Sequence, residues 1–363
     1  EFMMNREKIL EMIHPFVKDN RLSYEDFDKI LMAKCKEECL RIDNSATDSL
    51  IYREKFPPHR MLMIYGDHNN NLGEKICKRD DRYTIVDRIY YGEGLDEIGK
   101  RLGDIDAILI NDIPSEKRNL ILKMCFYNDI RVYFVPKLGD IFVKYSDELK
   151  VFDTPIYFCR NSGLDGMQRA FKRFCDILIS ILGIIILSPV MLIISIMIKT
   201  NDGGKVFYTQ NRCTIGGKEF RIIKFRTMRE DAEKDGRAKL ATIHDERITS
   251  VGKVLRKTRL DEIPQLFNVL IGEMSLVGPR PERPEIISKY VEDIPEFEYR
   301  MKVKAGITGY AQVYGKYNTS DLDKLKLDMM YIQKNSILLD IQLLLLTIRV
   351  IFFKDASQGI DDD

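Results

Sequence analysis

Two adjacent carboxylates, Asp261 and Glu262, are the residues of this chain with the clearest capacity for chemistry. A carboxylate can attack phosphorus and form an acyl phosphate, which divides one group transfer into two easier steps. Basic side chains that could neutralise phosphate charge stand on both sides of the pair, namely Arg256, Lys257, Arg259 and Arg280. The pair is also typical of a helix N-terminus, with Asp261 as the cap and Glu262 in the first turn. On spacing alone, this capping role is the simpler interpretation.

Charge is distributed unevenly along the chain. The net charge of the 363 residues is only +1, which argues against a dedicated nucleic-acid binder. Residues 199–259, however, carry sixteen Lys and Arg against eight Asp and Glu. Such an excess indicates a solvated face, a phosphate-bearing ligand or an anionic membrane. The seven cysteines are an odd number without a CxxC pair, which favours reduced thiols in the cytosol.

An apolar segment, Phe174–Ile198, is the strongest indication of location. Its 25 residues include one charged side chain, Asp176, and exceed the roughly 20 residues that cross a bilayer. A buried core helix is the alternative, although a run that is apolar on every face favours a membrane. Proline interrupts helical hydrogen bonding, so Ser188-Pro189 predicts a break and a re-entrant hairpin that leaves by the leaflet it entered. The bilayer is therefore an expected partner.

The segments that position these residues differ in pattern. Residues 1–58 are predicted to form a helical N-terminal segment and 59–160 a Rossmann-like α/β domain, because apolar runs alternate with helical stretches as in a parallel sheet. Residues 161–200 are predicted to form a linker and the membrane hairpin, and 201–363 a mostly helical α+β domain. Its second apolar stretch, Ile337–Phe353, predicts either an interfacial helix or one packed on the core.

The second half of the chain resembles the bacterial sugar transferases, the monotopic polyprenol-phosphate phosphoglycosyl transferases. The likeness covers roughly Gln168 to Lys354. It is carried by the basic lead KRFCDI before the apolar segment, by VFYTQNRCTIGGKEFRIIKFRTM (206–228), LDEIPQLFNVLIGEMSLVGPRP (260–281) and KAGITGYAQVYGK (304–316). The preceding α/β segment resembles the extra domain of the larger family members. This resemblance raises the catalytic interpretation of Asp261 above the capping one.

The resemblance implies a specific reaction. Asp261 would attack the β-phosphorus of a UDP-sugar, expel UMP and hold the phospho-sugar until a polyprenol phosphate, undecaprenyl phosphate, accepts it. This would be the initiating step of exopolysaccharide, capsule or glycan assembly. Mg²⁺ on Asp261 and Glu262 is the expected cofactor, because phosphoryl transfer depends on charge neutralisation. Location on the cytosolic face of the inner membrane and a homodimer are further implications.

The resemblance also implies which cations bind substrate phosphates. The matching positions are Arg280, Arg256, Lys224, Arg226 and Lys316. A structural role on a hairpin is an equally good interpretation of Lys224 and Arg226. Lys316 stands where the family often has arginine, and lysine cannot bind phosphate in the bidentate manner. Tyr310, with the Lys304-Ala305 dipeptide, also departs from the usual family motif, which leaves the nucleotide or sugar preference open.

Two alternatives belong to other functional classes. A nucleotide-sugar oxidoreductase or epimerase would use the α/β segment, but Gly66–Gly73 lacks the complete GxGxxG pattern. The YxxxK match from Tyr133 to Lys137 contains Pro136 and falls on a predicted strand. The other alternative is a catalytically inactive membrane-surface scaffold of the same fold. The presence of Asp261, Glu262 and Arg280 together argues against it.

Overall fold

The computed structural model describes residues 57–67, 70–159, 164–229, 245, 247–315 and 319–352. Most of the predicted N-terminal helical segment and Lys316 lie outside these ranges. The chain divides into two compact units, the first ending at Val135 and the second beginning at Pro136. This division precedes the domain boundary predicted after residue 160, because the helix Leu138–Lys144 places Ile141 in the core of the second unit.

The first unit contains a four-stranded parallel sheet, and a parallel α/β sheet is what the sequence predicts. Its strands are β1 (His59–Tyr65), β2 (Tyr83–Tyr90), β3 (Ala107–Asn111) and β4 (Arg131–Phe134), and their order in the sheet is β2-β1-β3-β4. Its helices are α1 (Leu72–Cys77), α2 (Leu95–Lys100) and α3 (Ser115–Tyr127). Leu62 and Ile64 of β1 lie in one hydrophobic cluster and Met61 and Met63 in another. Both faces of the sheet are therefore covered, which explains its continuous apolar runs.

The carboxyl edge of this sheet, where open α/β folds usually bind ligands, is bridged by two amide side chains. Asn70 Nδ2 donates to Asn111 Oδ1 at 2.7 Å, and Asn111 Nδ2 donates back to Asn70 Oδ1 at 2.8 Å. Tyr133 lies on β4, as predicted, so the YxxxK match does not have the helical setting of a catalytic pair.

The second unit combines one long helix with shorter helices and three two-stranded sheets among its described residues. Its strands are β5 (Asp147–Val151), β6 (Thr154–Phe158), β7 (Phe207–Cys213), β8 (Glu219–Phe225), β9 (Ser275–Val277) and β10 (Gly306–Thr308). Its helices are α4 (Leu138–Lys144), α5 (Gly166–Asp202), α6 (Ser250–Thr258), α7 (Gln265–Ile271), α8 (Pro284–Asp293), α9 (Tyr310–Tyr314), α10 (Asp321–Lys334) and α11 (Ile337–Phe352). The core includes Val269, Leu276, Leu325 and Tyr331.

The long helix α5 contains the whole predicted membrane segment. Asp165 caps its start by accepting from Gln168 N, and Gly203, with a φ of 71°, ends it. The predicted break at Ser188-Pro189 is not seen, because helical structure continues through Pro189. A proline removes the N–H that would bind the carbonyl four residues earlier, here that of Ile185. Ser188 Oγ donates to this carbonyl at 2.8 Å and replaces the missing donor.

One stripe of α5 lies against the rest of the second unit along its length. Asp176 accepts from Leu276 N at 3.1 Å, a Cβ at Gly183 would lie 3.2 Å from Leu266, and Ile194 and Ile198 pack on Phe225. The other faces are apolar and exposed, including Leu178, Leu182, Ile186 and Ile193. Within the described ranges, α5 is the one helix long and apolar enough to cross a membrane.

Candidate active site

The Asp261–Glu262 pair lies in a short 3-10 turn, Leu260–Glu262, between α6 and α7. Arg259 makes the bend before the turn with a φ of 58°. The N-cap residue of α7 is Pro264, which makes no side-chain capping bond. The capping interpretation of Asp261 is therefore wrong, and its carboxylate is left for another role.

Apolar neighbours fix this turn beside the long helix. Leu260 and Ile263, on either side of the carboxylate pair, pack on a cluster that includes Ile194 and Ile198 of α5. Because these two α5 residues belong to the predicted membrane segment, the carboxylates are positioned next to it.

Asp261 is a buried carboxylate with 9% of its surface exposed. Within the described part of the chain, no group donates a hydrogen bond to its side chain. Burial and, secondly, the charge of Glu262 raise its pKa, whereas Lys224, Arg256 and Arg280 act in the opposite direction. A poorly solvated carboxylate of raised pKa is a better nucleophile than an ordinary aspartate.

Glu262 is held between two cations. Its Oε1 accepts from Lys224 Nζ at 2.7 Å and from Arg280 Nη2 at 3.0 Å. Burial alone would raise its pKa, but the charges of Arg280 and Lys224 outweigh this effect and lower the pKa below its usual range. These charges favour the ionised form of Glu262, which holds both Lys224 and Arg280. Phosphate binding is the predicted role of Arg280 and one of the two interpretations of Lys224.

Lys224 and Arg280 reach Glu262 from separate elements. Lys224 lies on β8 opposite Tyr208 of β7. Arg280 follows β9, and Gly278 N donates to Thr308 O of β10 at 2.8 Å. A Cβ at Gly278 would collide with the Lys304 carbonyl, so glycine is required for this close approach. Arg280 keeps 40% of its side chain exposed and can still meet a ligand.

The structure distributes the remaining predicted cations differently. Arg256 Nε donates to Thr227 Oγ1 at 2.9 Å, and its charge acts on Asp261. Arg226 instead pairs with Asp202 at the end of α5. Of the two interpretations of Arg226, the structural one agrees with this contact. Lys316 lies outside the described residues, and the phosphate-binding roles remain predictions.

Sequence reasoning missed a buried ion pair behind Arg280. Arg300 Nη2 lies 2.8 Å from Asp328 Oδ2 and donates to the Arg280 carbonyl at 3.0 Å. Burial raises the pKa of Asp328 to about 6, an effect that Arg300 opposes. Arg300 and Asp328 stand among other charged residues in EYRMK and LKLDMM, so no single-sequence signal separates them from surface charges.

The carboxylate pair meets the minimum needed for a magnesium site. In the ranges that the structure describes, no three Asp, Glu, His or Cys side chains converge. Mg²⁺ often takes only one or two carboxylates and completes its shell with water and substrate phosphates. Asp261 fits this requirement, since none of the residues that the structure describes donates a hydrogen bond to its carboxylate. Glu262 fits less well, because Oε1 already accepts from two cations.

Comparison with known proteins agrees with the architecture of the second unit. The model of the bacterial sugar transferase family matches residues 167–354, which include α5, the carboxylate pair and Arg280. The chain belongs to this family.

Individual relatives match over different lengths. The chain is 44% identical over 184 residues to a UDP-N-acetylgalactosamine-undecaprenyl-phosphate N-acetylgalactosaminephosphotransferase of Aeromonas hydrophila, covering 50% of the chain and 43% of the relative. It is 36% identical over 303 residues to a UDP-glucose:undecaprenyl-phosphate glucose-1-phosphate transferase of Klebsiella pneumoniae, covering 82% and 60%. It is 36% identical over 200 residues to the exopolysaccharide production protein ExoY of Sinorhizobium fredii, covering 51% and 87%. The chain thus spans about half the length of several relatives it matches.

Proposed function

We propose that this chain transfers a sugar-1-phosphate from a UDP-sugar to undecaprenyl phosphate, as the first step in assembling an extracellular polysaccharide. The observation that carries the proposal is the Asp261 carboxylate, which is buried, has no hydrogen-bond donor among the described residues and lies beside the Lys224–Glu262–Arg280 group. The names of the relatives support the substrate class.

In the first step, an Asp261 oxygen attacks the β-phosphorus of the UDP-sugar. A new phosphorus–oxygen bond forms, the bond to the bridging oxygen breaks, and UMP leaves with that oxygen and its electron pair. Arg280 would neutralise charge on the phosphoryl oxygens, a role supported by the partial exposure of its side chain and by its ion pair with Glu262. The positive charge of Arg256 stabilises the ionised carboxylate of Asp261 before the attack.

In the second step, a phosphate oxygen of the lipid attacks the same phosphorus. The bond to Asp261 breaks, the aspartate carboxylate is regenerated, and the lipid carries a diphosphate-linked sugar. Mg²⁺ held by Asp261, with Glu262 nearby, would supply additional neutralisation of the diphosphate charge. Glu262 itself keeps Lys224 and Arg280 converged through both steps.

Trapping of the intermediate tests this function. The detergent-extracted protein is incubated with UDP-glucose or UDP-N-acetylgalactosamine and Mg²⁺ without a lipid acceptor. We expect UMP release together with a phospho-sugar adduct in the intact mass, and neither in Asp261→Asn. An adduct in Asp261→Asn would reject Asp261 as the nucleophile. Absence of UMP and adduct with every UDP-sugar in a broad panel would favour the scaffold alternative.

The packing of α5 supports a location on one face of the membrane. Contacts to the second unit occur near both ends of the helix, at Asp176 and Ile198, and at Gly183 between them. A helix that packs along one side on the rest of its unit cannot cross a bilayer without losing these contacts. We therefore propose that α5 bends at Pro189 while it remains helical, so that both of its ends lie at the cytosolic leaflet and its exposed apolar faces lie in lipid, as in the re-entrant topology that the sequence predicts.

One-sided labelling distinguishes this arrangement from a crossing. Met167→Cys and Lys205→Cys are introduced separately, near the two ends of α5, into a protein whose native cysteines are replaced by serine. In sealed inside-out vesicles, both positions should react with a membrane-impermeant maleimide. Reaction of only one of them before detergent is added would establish a crossing.

A further inference from the structure

Hydrogen bonds from other segments hold the backbone around Arg280. Four consecutive carbonyls each accept a hydrogen bond, and the donors come from three different parts of the unit. The pairs are Gly306 N to Pro279 O at 2.9 Å, Arg300 Nη2 to Arg280 O at 3.0 Å, Arg212 Nη1 to Pro281 O at 3.2 Å and Cys213 N to Glu282 O at 2.9 Å. The donor to the Arg280 carbonyl is thus itself a guanidinium.

The Arg300 side chain is buried between Asp328 and the ring of Phe297. Its side chain is 7% exposed and that of Asp328 is 1% exposed. The guanidinium carbon lies 4.8 Å from the centre of the Phe297 ring, and Nη2 faces both Asp328 and the Arg280 carbonyl. Arg300 therefore links α10, which carries Asp328, to the segment that presents Arg280.

Stability alone does not account for a buried pair of this kind. Two charges lose their hydration on burial, and a well-packed apolar pair of similar size is often equally stable or more stable. A group that orients an active-site side chain must instead keep that side chain in position, because small displacements of it reduce the reaction rate strongly. The contact to the Arg280 carbonyl is what an apolar pair would lack.

We propose that Arg300, held by Asp328, is a positioning residue that fixes the Arg280 backbone so that the Arg280 guanidinium meets both Glu262 and the donor phosphates. The proposal rests on the function proposed above. Arg300 acts on the reaction through Arg280 and has no contact with substrate.

The test replaces the ion pair with an apolar pair, in the full chain, by combining Arg300→Met with Asp328→Leu. This variant avoids leaving a single buried charge, so its melting temperature should stay close to that of the parent. We expect kcat for UMP release to fall about 10- to 100-fold with a smaller change in KM. The control is Lys326→Met on the same helix. Lys326 is a buried cation that pairs with Asp323 at 3.5 Å, and its replacement should leave kcat unchanged.

The same replacement is then made in Arg280→Met. If Arg300 acts through Arg280, the apolar pair should change kcat less than about twofold there, since coupled residues are not additive. An equal loss in both backgrounds, or a folded variant with parental kcat, would overturn the positioning role. If the variant with the apolar pair does not fold, it is replaced by Arg300→Lys, which keeps a cation beside Asp328. Its effect on kcat is then compared between the parent and Arg280→Met backgrounds. Parental UMP release from Arg280→Met would refute the role of Arg280 and with it the positioning role of Arg300, whereas a parent chain that releases no UMP would refute the proposed function.

Discussion

Lys224 Nζ lies 2.7 Å from Glu262 Oε1, the oxygen that also accepts from Arg280 Nη2 at 3.0 Å. One carboxylate thereby brings together two cations from separate elements, β8 and the segment after β9. The arrangement assigns Glu262 an organising role next to the proposed nucleophile. The negative charge of Glu262 also raises the pKa of Asp261. Two measurements separate this electrostatic effect from the organising role.

Glu262→Gln should impair both the reaction and stability. Glutamine can accept a hydrogen bond but leaves Lys224 and Arg280 without a neutralising charge, so Arg280 is no longer firmly placed. We expect UMP release to slow about 100-fold and the free energy of unfolding to fall by about 1–3 kcal/mol. Glu285→Gln, at an exposed position of α8, is the control and should change neither. Parental activity in Glu262→Gln would exclude the organising role.

The pH dependence of UMP release should report Asp261. Burial and the charge of Glu262 raise its pKa, so protonation removes the nucleophile at a higher pH than for an ordinary aspartate, with its pKa of about 3.9. The rate should fall as pH decreases through this raised value. In Glu262→Gln, the negative charge that helps to raise the pKa of Asp261 is absent. The acid limb of the pH–rate profile should therefore move to lower pH. Movement to higher pH would contradict the assignment.

The sequence predicted the elements that depend on local pattern. Apolar runs predicted the parallel strands of the first unit, and the long apolar segment predicted α5. Glu262 and Arg280 lie close together, which agrees with their presence in one family motif, although α7 and β9 separate them along the chain. These features are predictable because each is encoded within a short segment or a recognisable string.

Other features depend on partners that one sequence does not pair. Arg226 forms its ion pair with Asp202, and Arg300 with Asp328, although nothing in the spacing of these charges indicates a contact. The continuity of α5 was also missed. Proline predicted a break, whereas a single hydroxyl, that of Ser188, compensates for the lost backbone donor.

A buried network should make α5 essential to the stability of the second unit. Lys172 Nζ donates to Val277 O at 3.2 Å and to Tyr331 Oη at 3.4 Å, and it pairs with Asp340. Lys172→Met leaves the Asp340 carboxylate buried without a cation, which should cost about 3–5 kcal/mol. Thermal or denaturant unfolding in detergent measures this loss.

An exposed ion pair provides the comparison for Lys172→Met. Lys324 and Asp321 lie 3.1 Å apart with 43% and 36% of their side chains exposed. Because water screens such pairs, Lys324→Met should change the free energy of unfolding by less than about 1 kcal/mol. Similar small effects of both substitutions would show that the buried network does not hold α5 in place.

The hydroxyl of Ser188 should stabilise α5 only while Pro189 is present. Ser188→Ala removes the donor to the Ile185 carbonyl and should cost about 1 kcal/mol. Pro189→Ala restores a backbone N–H for that carbonyl, so Ser188→Ala should cost almost nothing in that background. Thr200→Ala is the control, because Thr200 Oγ1 donates at 2.9 Å to the Ile196 carbonyl, whose helical N–H partner is not a proline. Unfolding titrations in detergent give the free energy of unfolding of the parent and of each variant. Equal costs of Ser188→Ala in both backgrounds would show that its hydroxyl does not substitute for the missing backbone donor.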